Sequence, residues 1–326
     1  LAYITDADHC REIYNKHAEC GVPVARIGSS NYANNEALMR ACSEFAHENG
    51  IKRFPICLFF TGNYMNMAQM KRVTSTESSE LGFLVSIAMV KEFVNNKFSP
   101  YTNVDVIPHL DHGQPGVDDV FFYELREEFG TIMYDACHHS WEKNLELTRK
   151  YVEHVGGKVL VEGSVEEISV EGVWDTSMKM TSPEQAVEFR DKTGCDFIVP
   201  NIGTESQKET SVKLEYHQDL VKEIYAALGA KEMIIHGLSC LSVDQISTLS
   251  EDGVAGVNIW TRFARKAGEH AKETLMNYVV PDEERDPQKR FDPFDVVYPR
   301  AWTEAFVDDV KEFLHGMGSP KLAAAF

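Results

Sequence analysis

Residues 104–113 read VDVIPHLDHG, an apolar, β-branched run from Val104 to Leu110 that stops abruptly at Asp111, His112 and Gly113. A run this short and this apolar behaves as a strand buried on both faces. Working outward in both directions, the same pattern recurs at Val22 to Ile27, Phe54 to Phe60, Thr131 to Asp135, Lys158 to Val161, Asp196 to Ile202, Glu232 to Ile235 and Val254 to Ile259. Amphipathic stretches lie between these runs: Asn35 to Asn49, Ser79 to Asn95, Val117 to Phe129, Trp141 to Val155, Pro183 to Thr193, Gln218 to Leu228, Val243 to Glu251 and Phe263 to Asn277. In the first of them Leu38, Ala41, Cys42, Phe45 and Ala46 share one face at helical spacing. Capping-box chemistry at Ser182-Pro183-Glu184-Gln185 and Ser242-Val243-Asp244-Gln245 marks two helix starts. Gly194, Gly229 and Gly253 stand where helices should stop.

Strands and helices that alternate eight times imply an α/β fold, and a closed (β/α)8 TIM barrel is the expectation adopted here. An open doubly wound sheet would give similar local signals. The barrel is expected over residues 1–278. A C-terminal helical arm follows over 279–320, made of the polar stretch Pro281 to Arg300 and an amphipathic helix, Thr303 to Leu314. Residues 321–326, which begin KLAAA, read as a linker or tag remnant.

Composition narrows the function. With 43% hydrophobic and 25% charged residues in 326, the chain is an ordinary globular protein and not a disordered one. A formal charge of -19 repels phosphate backbones, so nucleic acid is not an expected partner. The longest apolar stretches, Leu81 to Val90 and Phe54 to Phe60, fall short of the roughly 18 residues of a membrane helix, so no membrane partner is expected either. Seven scattered cysteines without a CxxC pair suit a reducing, cytoplasmic setting and look structural, since Cys137 and Cys240 near the mouth have no evident base.

In a barrel the active site sits at the C-terminal ends of the strands. Those ends hold His109-Leu110-Asp111-His112-Gly113, Asp135-Ala136-Cys137-His138-His139, Glu162-Gly163-Ser164, Gly203-Thr204-Glu205-Ser206, His236-Gly237-Leu238-Ser239 and Asn258-Ile259-Trp260-Thr261. Packing alone does not explain six successive polar ends. Either His112 or His236 alone would be an ordinary structural histidine; together, and beside Asp111, they point to one divalent metal. Successive residues of a regular strand face opposite ways, so Asp111 and His112 should sit at the exit, where the backbone turns at Gly113.

These residues resemble the class II, metal-dependent fructose-bisphosphate and tagatose-bisphosphate aldolases over most of residues 10 to 275. The likeness starts with Val22 to Leu38 and its Asn-rich turn, Asn31 to Asn35. It is strongest in HLDHG at 109–113, YDACHHSWEKNLELTRKYVEHV at 134–155, TSPEQAVEFRDKTGCDFIVPNIGT at 181–204, IIHGLS at 234–239 and DGVAGVNIWT at 252–261. The resemblance implies that Asp111 serves in acid–base catalysis at the aldehyde-derived hydroxyl and that His112 and His236 bind zinc. It also implies a C1 phosphate held by loop groups matching Gly203, Gly237, Ser239, Asn258 and Thr261, a mouth lined by Asp135 and Glu162, and a homodimer or homotetramer.

The chain departs from the family where the third zinc ligand should be. Ser206 replaces that histidine, and Gln207 replaces the glycine after it. Serine is a weak neutral ligand, so Glu205 is the expected replacement, with His138, Asp135 and Glu162 as other candidates. Ser164 stands where the family has a second glutamate, Trp260 where it often has Asn or Asp, and Lys208 only approximates its loop lysine. Among Glu166, Glu167, Glu171 and Asp175, Glu171 beside Gly172 is the expected mobile proton shuttle. The expected activity is a metal-dependent aldolase cleaving a phosphorylated ketose into a dihydroxyacetone-phosphate-like fragment and an aldehyde. A non-catalytic aldolase-like barrel that binds sugar phosphate as a partner subunit, and lyase or epimerase chemistry on another keto substrate, are the alternatives.

Overall fold

A computed structural model describes residues 2–65, 67–166, 180–204, 216–238, 241–278 and 298–326. Eight parallel strands close into a barrel, β1 (Val24–Gly28), β2 (Phe54–Thr61), β3 (Val104–Gly113), β4 (Thr131–Tyr134), β5 (Leu160–Ser164), β6 (Phe197–Val199), β7 (Met233–Ile235) and β8 (Val254–Ile259), with β1 hydrogen-bonded to both β2 and β8. The helices are α1 (Ala7–Cys20), α2 (Tyr32–Glu48), α3 (Ser79–Asn95), α4 (Trp141–Val155), α5 (Pro183–Thr193), α6 (Gln218–Leu228), α7 (Val243–Thr248), α8 (Thr261–Met276) and α9 (Tyr298–Gly316). Both expected capping boxes form, on α5 and α7. Gly194 and Gly229 close α5 and α6 in the left-handed conformation. Gly253 also has a positive φ, 92°, and a Cβ there would lie 2.1 Å from the Tyr225 ring, but α7 stops earlier, at Thr248.

The strand alternation sorts side chains into two compartments. Outward residues such as Val106, Leu110, Val161 and Ile235 pack under the helices. Inward residues Val24, Cys57, Ile107, Met133, Leu160, Phe197 and Ile234 fill the barrel toward its N-terminal end, where Ala7, Cys10, Ile13 and Tyr14 of α1 close it. α1 lies ahead of the first expected strand and adds a helix to those the alternation implies. Its marks are nonetheless present: Asp6 caps it, Gly21 ends it, and Cys10, Ile13, Tyr14 and His17 recur at helical spacing on the buried face.

Two other expectations change. Val117 to Phe129 is not an α-helix: Val120–Glu124 is a single wide π turn, followed by a 3₁₀ turn at Arg126–Glu128. The successive rings of Phe121 and Phe122 are both buried, one against Phe83 and Phe129, the other against Tyr134 and Tyr151. A one-sided α-helical stripe does not bury a consecutive pair against two clusters; the widened turn does. The KLAAA segment, set aside as linker, is packed structure. Ser319–Ala324 is a 3₁₀ helix with Leu322 fully buried in the core, and Phe326 lies against His17 of α1 at a ring distance of 5.6 Å. The arm helix α9 is longer than expected and packs on the barrel through Phe306 and Phe313, which meet Phe263 of α8, while His315 meets Phe45 of α2. Residues 279–297 of the arm lie outside the described residues.

Candidate active site

The inward residues change character toward the C-terminal end of the barrel. On β3, Ile107 is followed on the inner face by His109 and Asp111, and His112 then joins Asp111 at the mouth. The expected turn at Gly113 lies one residue earlier. His112 itself takes a left-handed backbone, φ 49°, and the β3–β4 register slips between Leu110 and Gly113. A non-glycine residue in that region is strained, and the strain clusters at functional sites. The bulge lets two consecutive side chains face one point.

That point is formed by Asp111, His112 and His236, whose ligand atoms all lie within 4.8 Å of one another and whose side chains are all buried. His112 Nε2 and His236 Nδ1 are 3.2 Å apart. Two nitrogens bound at about 2.0–2.1 Å to a tetrahedral zinc would stand about 3.3 Å apart, so the spacing fits a shared ion. The far nitrogen of each ring is occupied by a carboxylate: His112 Nδ1 by Asp135 Oδ2 at 2.8 Å, and His236 Nε2 by Glu162 Oε1 at 3.4 Å. This arrangement aims the near nitrogens inward and matches how ligand histidines are held by outer carboxylates. The Tyr64 ring stacks on His112 at 4.4 Å and 10°, covering its face.

Electrostatics agree with a cation site. Burial disfavours a charged His112, but the carboxylates of Asp111 and Asp135 prevail and push its pKa up to about 9. Burial likewise opposes the charge of Asp135, and the His112 hydrogen bond overcomes it and lowers its pKa. For Glu162 the burial effect is outweighed by Arg26, His109 and His236, which hold it well below the usual carboxylate range. Burial, reinforced by the charge of Arg26, keeps His109 neutral, and its Nδ1 pairs with Thr131 Oγ1 at 2.8 Å.

Asp111 is 1% exposed and held from two strands. Asn258 Nδ2 on β8 donates to Oδ1 at 2.8 Å, and Thr61 Oγ1 on β2 donates to Oδ2 at 3.3 Å. Asn258, expected at a phosphate, thus spends its amide on Asp111. The mouth is lined by Phe59, Met67, Gly237, Leu238, Trp260 and Thr261 around Asp111, His112 and His236. Gly237 and Thr261 thus line the same hollow as Asp111, His112 and His236. Gly203 does not offer a free amide, because its N–H donates to Asn201 Oδ1 at 3.1 Å. His138 is not brought to the cluster: it is exposed and packs 4.2 Å from the His139 ring. Asp135 and Glu162 are present as holders of the histidines. Glu171, Glu205, Ser206, Lys208 and Ser239 lie outside the described residues.

Sequence reasoning missed Arg26, Thr61, Tyr64 and the bond of Asn258 to Asp111. Arg26 had a visible signal, a lone cation inside the apolar run Val22 to Ile27, with a lone acid, Glu162, at the end of another.

The description "Fructose-bisphosphate aldolase class-II" belongs to the family model that matches residues 8–321. YdjI, an uncharacterized protein of Escherichia coli K12, is 30% identical over 175 residues, 52% of this chain and 61% of that protein, so the match spans less than two thirds of that relative's length. A probable fructose-bisphosphate aldolase of Bacillus subtilis is 25% identical over 86% of this chain and 90% of its own. The crystal structure of the YdjI aldolase superposes with a TM-score of 0.67, at 20% identity, over 95% of this chain and 96% of that one, which supports the barrel fold. A family match over nearly the whole chain, on a closed barrel with a buried Asp–His–His mouth, means that this chain belongs to the class II fructose-bisphosphate aldolase family, a family of lyases.

Proposed function

We propose that the chain is a metal-dependent aldolase that reversibly cleaves a phosphorylated ketose into a dihydroxyacetone-phosphate-like fragment and an aldehyde. The observation that carries this reading is the convergence of Asp111, His112 and His236 on one buried point. His112 Nε2 and His236 Nδ1 would hold a divalent ion, most simply Zn2+, with Glu205 as the further ligand in place of the family histidine at Ser206. When bound, that ion would supply Lewis-acid polarisation of the ketone carbonyl.

The remaining roles belong to the chain. Asp111 takes the proton from the hydroxyl that becomes the aldehyde as the carbon–carbon bond breaks, and returns it in condensation. Thr61 and Asn258 fix which oxygen of Asp111 faces that hydroxyl. Glu171 is proposed to carry the proton of the three-carbon fragment. Low-exposure walls around Asp111 keep bulk water from competing for the proton.

A phosphate is supported by Gly237 and by Thr261 at the start of the sixteen-residue α8, since backbone amides at a helix start favour anions. Ser206, Lys208 and Ser239 complete that proposed subsite. An adjoining hollow of about 520 Å³, sharing Trp260 and Thr261 with the mouth, suits the far end of the sugar. Arg72 and Arg265 line it with Ser30, Asn31 and Gln69, and the buried Gln69 amide has no partner among the described residues. Assembly as a homodimer or homotetramer in the cytoplasm belongs to the same proposal. Exposed Leu81, Leu84 and Val85 give α3 an apolar strip for assembly, and no disulfide links the six described cysteines.

The test is elemental analysis after mild purification, followed by aldolase assays over phosphorylated and unphosphorylated ketoses with and without chelator. Near-stoichiometric divalent metal and chelator-sensitive cleavage of a ketose phosphate are expected. A protein with no divalent ion and no cleavage, yet with bound sugar phosphate, would replace the enzyme by a binding subunit.

A further inference from the structure

β1 and β5 stand four strands apart in the eight-stranded ring, so they face each other across the barrel. Arg26 of β1 and Glu162 of β5 bridge that interior: Arg26 Nη1 donates to Glu162 Oε2 at 2.6 Å, with the two side chains 0% and 1% exposed. Room for the arginine stem comes from bare backbone on β8, because a Cβ on Gly256 would lie 3.0 Å from Arg26 Cδ. Among the described residues the other guanidinium nitrogens, Nε and Nη2, have no oxygen or nitrogen hydrogen-bond partner. Such a pair is a poor way to gain stability, since well-packed apolar residues of the same volume serve as well or better. Its position suggests a different use. The second oxygen of Glu162, Oε1, lies 3.4 Å from His236 Nε2, so the carboxylate is pinned at one oxygen by Arg26 and meets the histidine with the other.

We propose that Arg26 is a positioning residue: across the barrel it fixes the Glu162 carboxylate, and through it turns His236 so that Nδ1 faces His112 at the proposed divalent-ion site. The inference rests on the metal-dependent reading above. Arg26 is not among the residues that line the mouth; it acts by denying Glu162 other rotamers. Loss of such outer partners typically weakens metal binding by about 10–100-fold.

The experiment measures Zn2+ dissociation constants of metal-stripped protein by chelator competition, and the visible spectrum of the Co2+ form, for the wild type, Arg26→Met, Arg26→Lys, Glu162→Gln and Arg26→Met/Glu162→Gln. Arg26→Met is expected to weaken Zn2+ binding by about 10–100-fold and to alter the Co2+ spectrum. Arg26→Lys should weaken it less. In the Glu162→Gln background, Arg26→Met should add less than about twofold, because the group it acts through has changed. If Arg26→Met alone fails to fold, the neutral double variant against Glu162→Gln decides. A folded Arg26→Met or Arg26→Lys with wild-type affinity and spectrum would overturn the inference, and so would a full independent loss in the Glu162→Gln background. Wild-type protein that takes up no divalent ion would overturn the metal-dependent reading and this inference with it, whereas wild-type uptake with unchanged variants would overturn this inference alone.

Discussion

Near their N-terminal ends the strands turn Val24, Ile107, Met133, Leu160 and Ile234 into the barrel, where they meet Cys10, Ile13 and Tyr14 of α1. One or two inward positions further along, the same strands present Arg26, Asp111, Glu162 and His236. Both ends are buried, but the lower layer gains stability from apolar area removed from water, while the upper layer keeps charges desolvated and opposed. The contrast teaches that this barrel divides its interior by depth, with a base that holds the fold and a mouth that is stabilised by the base.

Asp111→Ala bears hardest on that division. Turnover should fall by about 10²–10⁴-fold while the thermal midpoint holds or rises, and activity within tenfold of wild type would remove Asp111 from proton transfer. His236→Ala should leave the folded protein with little bound divalent ion, read by elemental analysis after dialysis; unchanged occupancy would remove it from the ligand set. The opposite change, Ile107→Ala in the base, should cost about 2–5 kcal/mol in urea unfolding and leave kcat of the folded protein near wild type. A large fall in kcat there would show that the two layers are not separable.

A pH titration of stability sharpens the comparison at the closed end. Burial lowers the pKa of His17 from 6.5 to about 4, so the folded state resists a proton that the unfolded chain accepts. Its contribution is therefore complete above pH 6.5 and is lost as pH falls toward about 4, by roughly 3 kcal/mol in total. His17→Phe should flatten that limb of the stability curve, and an unchanged limb would assign the acid sensitivity elsewhere. The smallest effect is expected outside both layers, where Ser182→Ala removes the α5 cap at a cost of about 1 kcal/mol, with no change in metal content.

The barrel was readable because each strand is a short apolar run and each gap is long enough for one helix; β8 and α4 fall on the expected residues. The first helix was not, since α1 precedes the first strand and so stands outside the alternation that carries the fold. Asp111, His112 and His236 could be named from strand ends alone. What periodicity does not encode is pairing across the ring: that Asn258 serves Asp111, that Tyr64 covers His112, or that Arg26 reaches Glu162. Nor does it encode the backbone of His112, where a local break in register, not the neighbouring glycine, turns the chain.

The Arg26–Glu162 bridge has a consequence for how such a barrel can change over generations. Replacing either partner first strands the other as a lone ion in a dry interior, typically a loss of about 3–5 kcal/mol, comparable to much of a domain's net stability. Mutational routes out of this arrangement are therefore narrow. They must exchange both residues nearly together, or first acquire stability elsewhere in the molecule.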